Sequence, residues 1–553
     1  MGAVCTREDY LMANVFKKVI DRLVWSQVTP LPTAHGTASC LASDLRSDLS
    51  RNPFVYQLSN STILNRYNIV TKGSSFTLNP ALAGTFGAGA GMTFAPSFGL
   101  VGTIAAGATT TSVVLTTALP TAVGLNMLAN RGGSGEYGFK LRIIDNGAGG
   151  SGKTAERYIT GNSAGTVPQI QVLSAFGFTP VAGSRYEIVA GRVFMLGAGT
   201  TAANIWRSYE VASNTLSTGL STTGLPATIG TDSSLLVLDE QYTPYDCSPG
   251  DGIIKGAYNY DTGIVSRYAL TATATGASSL TGQATLGDAV VAVNEYRNFQ
   301  IRIVEDTTNV TAVGQRRIIA SHTAGPSPVY TLGTAWTVTP SATAKYVIEL
   351  PNLILMRSSG TTTVYTYNYT DATINNGTNS ITTNSWSTTY FGVAPAANAA
   401  GGMWAPSFGI RPDTARNARQ SFCYFFQGNS ATLGVLDIAG SITGVWTSPL
   451  VYDGSPGSFP TTGSSGCLAP FENEGRMFYM NLYAASQLNQ IYRFDVQNRV
   501  MSPFTPTDFL QSGTAVVGNR MACYAALDGN DTYDVVLLQS HQSTVAQELV
   551  VLV

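Results

Sequence analysis

The residues with the most chemical potential fall into four groups. Gly147-Ala-Gly-Gly-Ser-Gly-Lys-Thr154 fits the phosphate-binding pattern GxxxxGK[ST] and follows the apolar run Leu141-Arg-Ile-Ile144. In a nucleotide-binding loop, glycine backbone and the N-terminus of the following helix present N–H groups to the phosphates. Here the next residues, Ala155-Glu-Arg-Tyr-Ile-Thr-Gly-Asn162, mix β-branched side chains with Gly and Asn and predict a short strand running into a turn. The motif therefore reads as a Gly-rich hairpin loop. The second group is carboxylates: Asp239, Glu240, Asp246, Asp251, Glu472 and Glu474 could converge as the acid and base of a glycosidase. Tyr242-Thr-Pro-Tyr-Asp246 and Ser248-Pro-Gly-Asp251 place several of them in turns, where solvated acids are the commoner case. Third, Tyr258, Tyr260, Tyr365, Tyr367 and Tyr369 offer rings for stacking on sugars, or for packing between strands. Fourth, Cys5, Cys40, Cys247, Cys423, Cys467 and Cys523 form no CxxC pair, and His35, His322 and His541 are isolated. The scattered cysteines favour buried thiols over three disulfides. No catalytic, cofactor-binding or metal-ligating set is expected.

The elements that would position these groups announce themselves by repetition. Phe139-Lys-Leu-Arg-Ile-Ile144 returns as Phe299-Gln-Ile-Arg-Ile-Val304, an offset of 160 (299 minus 139). The same offset pairs Arg157-Tyr-Ile159 with Arg317-Ile-Ile319, Gly165 with Gly325, Pro180 with Pro340 and Tyr186 with Tyr346, without a gap. Such an internal repeat outranks any local motif. It also weakens the phosphate-loop reading, because the second copy has no Gly-Lys-Thr where the first does.

A shorter signature, apolar-polar-apolar before a turn, recurs six times: at Arg66-Tyr-Asn-Ile-Val-Thr71, Ser208-Tyr-Glu-Val-Ala-Ser213, Ala257-Tyr-Asn-Tyr-Asp-Thr262, Thr366-Tyr-Asn-Tyr-Thr-Asp371, Val435-Leu-Asp-Ile-Ala-Gly440 and Arg493-Phe-Asp-Val-Gln-Asn498. Several follow an apolar strand such as Arg192-Val-Phe-Met-Leu196 or Ser421-Phe-Cys-Tyr-Phe-Phe426. Apolar strand, loop, alternating strand and turn make the middle of a β-propeller blade. The expected fold is all-β: a propeller of six or seven blades over 51–100, 190–268 and 350–553, with two homologous small barrel or sandwich domains at 101–189 and 269–349 inserted in its loops. Long insertions cost little, about 0.6 kcal/mol per doubling of loop length. Glu548-Leu-Val-Val-Leu-Val553 is expected to complete a blade begun near the front of the chain, and Ala95-Pro-Ser-Phe-Gly99 and Ala405-Pro-Ser-Phe-Gly409 to mark equivalent blade edges.

Residues 1–50 read as a helix and arm. Leu11, Met12, Val15, Phe16, Val19, Ile20 and Leu23 keep helical spacing as far as residue 27, and Lys17-Lys18 breaks any run long enough for a signal or membrane span. With 553 residues, 57 Gly, 12% charged residues and a net charge of -2, the chain has a turn-rich β composition and no basic footprint for sequence-specific nucleic-acid binding.

Thr109-Thr-Thr-Ser-Val-Val-Leu115, Pro180-Val-Ala-Gly-Ser-Arg-Tyr-Glu-Ile188, Asn52-Pro-Phe-Val-Tyr-Gln-Leu58 and Ala95-Pro-Ser-Phe-Gly99 resemble the small Thr/Gly/Ala-rich β domains of tailed-bacteriophage virion proteins. A propeller carrying such inserts is similar to the tail nozzle proteins of short-tailed phages. The resemblance implies a non-enzymatic virion component, assembled in the host cytoplasm, that forms a homo-oligomeric ring around the DNA exit channel. Its implied partners are other tail proteins, such as the adaptor ring and fibres, and DNA in transit. A receptor- or glycan-binding tail protein and a propeller glycosidase remain open as alternatives.

Overall fold

A computed structural model describes residues 25–27, 40–46, 52–69, 76–77, 86–128, 139–145, 150–197, 205–242, 256–282, 292–406, 422–451, 465–468, 477–481, 491–495, 500–504, 520–528, 531–539 and 546–551, with short gaps inside those spans. The chain is all-β, and no α-helix occurs among the described residues.

Six four-stranded antiparallel sheets dominate. The first holds Cys40–Ser43, Phe54–Ser59, Ile63–Asn68 and Phe76–Thr77; the second, Gly91–Ala95, Arg192–Leu196, Trp206–Glu210 and Thr215–Leu216; the third, Ser234–Leu238, Leu353–Arg357, Tyr365–Asn368 and Ser385–Ser387. The fourth runs through Met403–Pro406, Phe422–Phe426, Thr432–Asp437 and Val445–Val451, and the fifth through Ser465–Leu468, Met477–Asn481, Ile491–Asp495 and Val500–Phe504. The sixth takes Arg520–Asp528, Asp531–Gln539 and Ala546–Val551 from the end of the chain and its outer strand, Trp25–Gln27, from the front, with Trp25 opposite Leu549. First strands of successive sheets pack side by side in order, and that of the sixth returns to that of the first.

Second strands such as Phe422–Phe426 and Leu353–Arg357 are buried at every position, as a strand covered on both faces must be. Five of the six recurring signatures lie on third strands, one in each of five sheets. The sixth, at Ala257, lies instead in the separate hairpin Gly256–Asn259/Ile264–Arg267. An alternating strand before a turn suits any hairpin, so the pattern does not single out sheets. Ala95 and Ala405-Pro406 both close first strands, in the second and fourth sheets.

Two expected boundaries move. The sheets begin before residue 51, since Trp25–Gln27 and Cys40–Ser43 are strands within them. Trp25–Gln27, read as the end of a helix, is drawn into the sixth sheet because the strand Ala546–Val551 would otherwise leave an open edge of backbone groups. The helix expected over residues 1–24 lies outside the described residues.

The paired inserts leave from the ends of two first strands, in the second and third sheets. Each has six strands. In the first they are Leu100–Thr103, Ser112–Val114, Lys140–Asp145, Ala155–Asn162, Gln169–Val172 and Arg185–Val189; in the second, Leu270–Gly276, Ser279–Gly282, Gln300–Glu305, Arg316–His322, Val329–Leu332 and Lys345–Glu349. Strand order is the same in both, and the second closes into a barrel. In the first, the bridge between Ile104 and Leu115 joins the corresponding two edges. Register shifts also recur at equivalent places, between Ile159 and Gly161 and between Ile319 and Ser321. A bulge that survives duplication is part of how the barrel curves.

Candidate functional site

The inserts leave and rejoin the sheets around one buried polar knot. Its centre is the pair Asp239-Glu240, where the third sheet's first strand ends and a short 3-10 turn, Glu240–Tyr242, begins. Both side chains are fully buried. Glu240 accepts from Arg142 Nη1 of the first barrel, from Arg316 Nε (2.9 Å) and Gln300 Nε2 (3.1 Å) of the second, and from Asn352 Nδ2 (3.2 Å) at the return to the third sheet. Burial alone would raise the Glu240 pKa, but the Arg316, Arg142 and Arg302 guanidiniums overcome it and hold the carboxyl well below the usual carboxylate range.

Asp239 faces the other exit. Its carboxyl accepts from Ser97 N (3.1 Å), Ser97 Oγ (2.7 Å), Gln241 N (2.8 Å) and Tyr369 Oη (2.7 Å). Burial, then the charge of Glu240, push its pKa up to about 6 against those hydrogen bonds. Phe98, next to Ser97, sits at φ 61, a left-handed backbone that a bulky residue adopts only when its surroundings impose it. Glu187 supplies part of that imposition by accepting from Gly99 N (3.1 Å).

Around this centre the charges alternate. Arg142, with none of its surface exposed, also binds Glu156 (2.6 Å) and Glu187 (3.3 Å), and Arg302 binds Glu349 through two nitrogens (3.1 and 2.7 Å). Such an arrangement resembles an acid–base pair on paper, with one carboxyl raised to about 6 and its neighbour held well below the usual range. The geometry rules that use out for Asp239 and Glu240. Every carboxylate oxygen of the two faces a protein donor, and neither side chain reaches solvent. What the knot does is join two barrels and two sheets. Asp246, Asp251, Glu472 and Glu474 lie outside the described residues.

The other sequence candidates are also placed. Gly147–Thr154 connects the antiparallel strands Lys140–Asp145 and Ala155–Asn162, with Ala155 opposite Ile143, so a strand follows where a nucleotide loop needs a helix. Its Gly-Lys-Thr end docks on the second barrel: Thr154 N donates to Val304 O (2.9 Å), Asp306 N donates to Gly152 O (2.7 Å), and the backbones of Lys153 and Glu305 form an antiparallel β-bridge. Gly152, at φ +68, has no room for a Cβ, which would stand 2.1 Å from Asp306 O. Gly314 of the second barrel meets Ile144 O as closely, at 2.4 Å. The motif is a clip between the barrels.

Tyr365, Tyr367 and Tyr369 are buried, and Tyr367 packs with Trp386 (5.0 Å) against Trp206 of the second sheet (5.1 Å between the Tyr367 and Trp206 rings). These are inter-sheet contacts, not an open stacking platform. The side chains of Tyr258 and Tyr260 lie outside the described residues. His322 holds a turn: its Nε2 accepts from Tyr296 N (2.8 Å), and Asn294 Oδ1 accepts from His322 N (2.8 Å). That leaves Nδ1 as the protonated nitrogen, facing Thr323 O (3.0 Å). Asn162, the same position in the first barrel, does the equivalent work by accepting from Leu128 N (2.9 Å).

Sequence reasoning did not single out Arg142, Glu156, Glu187, Arg302, Arg316 or Glu349. A signal was present in the repeat: at the 160 offset Glu156 becomes Arg316, Glu187 becomes Val347 and Val189 becomes Glu349, so charges change between copies while apolar positions keep their character. Among the described residues no group of three or more His, Cys, Asp or Glu is placed to hold a metal, and no helix is long and apolar enough to cross a membrane. One open cleft, about 360 Å³, lies between the barrels and the third sheet, lined by Arg185, Arg316, Arg317 and Thr370 to Asn375. Arg185 and Asp371 pair across its mouth at 2.6 Å.

No protein-family model and no curated protein matches the sequence. Among solved structures it is similar to the NanB sialidase from Streptococcus pneumoniae, at 8% identity and a TM-score of 0.24, covering 93% of this chain and 82% of that one. A protein of unknown function from Bacteroides thetaiotaomicron matches at 7% and 0.21, covering 80% and 94%. An ulvan lyase, a polysaccharide lyase, matches at 9% and 0.24, covering 96% and 95%. Likeness this faint carries no assignment of activity.

Proposed function

We propose that the six sheets are the blades of a β-propeller, that the two inserts are domains carried by it, and that the whole is a non-enzymatic structural subunit of a bacteriophage tail, a nozzle or tube ring protein. The observation that carries the reading is the ionic knot at Asp239-Glu240. Its buried charges are committed to fixing both inserts to adjacent sheets, as a part that must hold shape under load requires. The cavity among the first strands is only about 110 Å³. DNA therefore passes through a channel formed between subunits, not through the axis of one chain. Cyclic rings need two different complementary faces on each subunit, and a propeller with barrels on one side offers such faces. Adaptor-ring and fibre proteins are the expected neighbours, in the virion.

The open polar cleft supports a second reading, a receptor- or glycan-binding tail protein, because threonine, asparagine and arginine side chains around a concave site suit hydroxyl-rich ligands. Solution mass by light scattering, followed by negative-stain electron microscopy across a concentration series, separates the two. A closed ring with a central hole is the expected result. A monomer at every concentration that binds glycans on a screen would replace the ring reading with the second.

A further inference from the structure

The cavity among the first strands has an unusual wall. Cys467, on Ser465–Leu468 of the fifth sheet, and Cys523, on Arg520–Asp528 of the sixth, both line it, and their sulfurs lie 2.7 Å apart. The two thiols are 56 residues apart in sequence and brought together only by the packing of neighbouring sheets. Around them apolar side chains such as Leu41, Met92 and Leu236 share the lining with polar groups, Ser43 and Thr93 among them. Its volume of about 110 Å³ admits a water-sized oxidant, since a water molecule needs only ~10–15 Å³ measured this way.

We propose that Cys467 and Cys523 form a redox pair, converted by a peroxide-class oxidant into a disulfide that staples the fifth sheet to the sixth. One thiolate attacks a peroxide oxygen and becomes a sulfenic acid, releasing water when hydrogen peroxide is the oxidant. The second thiol attacks that sulfur, the S–S bond forms, and a second water leaves. Two thiols and one peroxide thus give one disulfide and two waters. The position gives the bond its consequence. The sixth sheet is built from both ends of the chain, so it is the seam at which the ring of sheets closes. Ser43 Oγ donates to Cys523 O, tying the first sheet to the same strand. A covalent link beside that seam restricts the unfolded chain and resists opening of the ring. Cys423 is the internal contrast. It lies on a second strand and is as buried as they are, and burial, then the charge of Asp437, push its thiol well above the usual range; what sets Cys467 and Cys523 apart is a second sulfur in contact, not exposure. The inference does not depend on the tail reading.

The test starts from fully reduced, full-length protein treated with hydrogen peroxide, quenched with catalase, denatured, alkylated and digested without reductant. A linked peptide pair containing Cys467 and Cys523 is expected, lost on reduction, together with a higher melting temperature for the oxidised protein. Cys467→Ser should abolish both the linked pair and the rise. Recovery of both cysteines alkylated, their over-oxidation to sulfinic acid, or a link from either to a different cysteine would overturn the proposal. So would a linked pair with an unchanged melting temperature.

Discussion

The two barrels share a strand order, bulge positions and a gapless offset, yet differ at several positions where they touch the rest of the molecule. Arg157 and Arg317 show the shared part. Each donates through Nε to a backbone carbonyl, Ala175 O (2.7 Å) or Ala335 O (2.8 Å), and each covers an aromatic ring, Phe176 or Trp336. Leu173 and Gly333 show the other part. Leu173 is 61% exposed, whereas a Cβ at Gly333 would stand 2.0 Å from Asn375 O, in the hairpin Ile374–Asn375/Ser380–Ile381 on which the second barrel rests. Differences such as Leu173 against Gly333 and Glu156 against Arg316 fit each copy to its own attachment, whereas Arg142 and Arg302 agree and still serve the knot, and Asn162 and His322 differ while doing the same work. Duplication thus supplies an internal control that a single domain lacks.

The largest expected effect comes from removing the shared carboxylate of the attachment. Glu240→Ala leaves Arg142 and Arg316 without the acid between them, and breaking a buried ion pair costs about 3–5 kcal/mol; urea denaturation should show that loss. Next, Gly333→Leu installs the first barrel's residue in the second and should cost roughly 1–3 kcal/mol by overpacking. The reverse change, Leu173→Gly, removes an exposed side chain and should cost no more than about 1 kcal/mol. Equal losses from these two substitutions would break the comparison. Arg157→Ala and Arg317→Ala should instead lower the melting temperature by similar amounts, because the two guanidiniums do the same work.

The smallest effect concerns pH. Burial lowers the His322 pKa, so the folded second barrel favours the neutral ring. Its contribution is complete above the unfolded value of about 6.5 and is lost as pH falls from there through the lower folded value. Asp239 acts in the opposite sense: with a pKa raised to about 6, it favours the fold while protonated, and that advantage fades as pH rises from about 4 through 6. Comparing wild type with His322→Asn cancels the Asp239 contribution. The variant carries the first barrel's residue at this position, so acid sensitivity of the second barrel, read by hydrogen exchange at pH 7.5 and 5.5, should fall toward that of the first.

Much of the β architecture was legible because it follows from short-range patterns. Alternating strands such as Arg493-Phe-Asp-Val496, apolar second strands and a gapless repeat are all local or periodic. Closure of the sixth sheet was anticipated at its end, Glu548 to Val553, but its partner Trp25–Gln27 was hidden behind helical spacing at Leu11 to Leu23. The polar knot was legible least. Asp239 and Glu240 stood out as neighbouring acids, but the other charged members of the knot, Arg142, Glu187, Arg302, Arg316 and Glu349, come from five strands of the two barrels, and no spacing rule links them. Nor does sequence distinguish a buried carboxylate from one in a cleft. Burial of Asp239 depends on Ser97 and Tyr369, each about 130 or more residues away.

The most direct test of rigid attachment is hydrogen exchange of the intact protein, wild type against Glu240→Ala, followed by mass spectrometry. Rigid attachment predicts that in wild type the strands 140–145 and 300–305 exchange together with 234–238 and 353–357, and that in the variant both barrels exchange well before the sheets. Barrels that already exchange independently in wild type, at rates unchanged by the loss of Glu240, would contradict it.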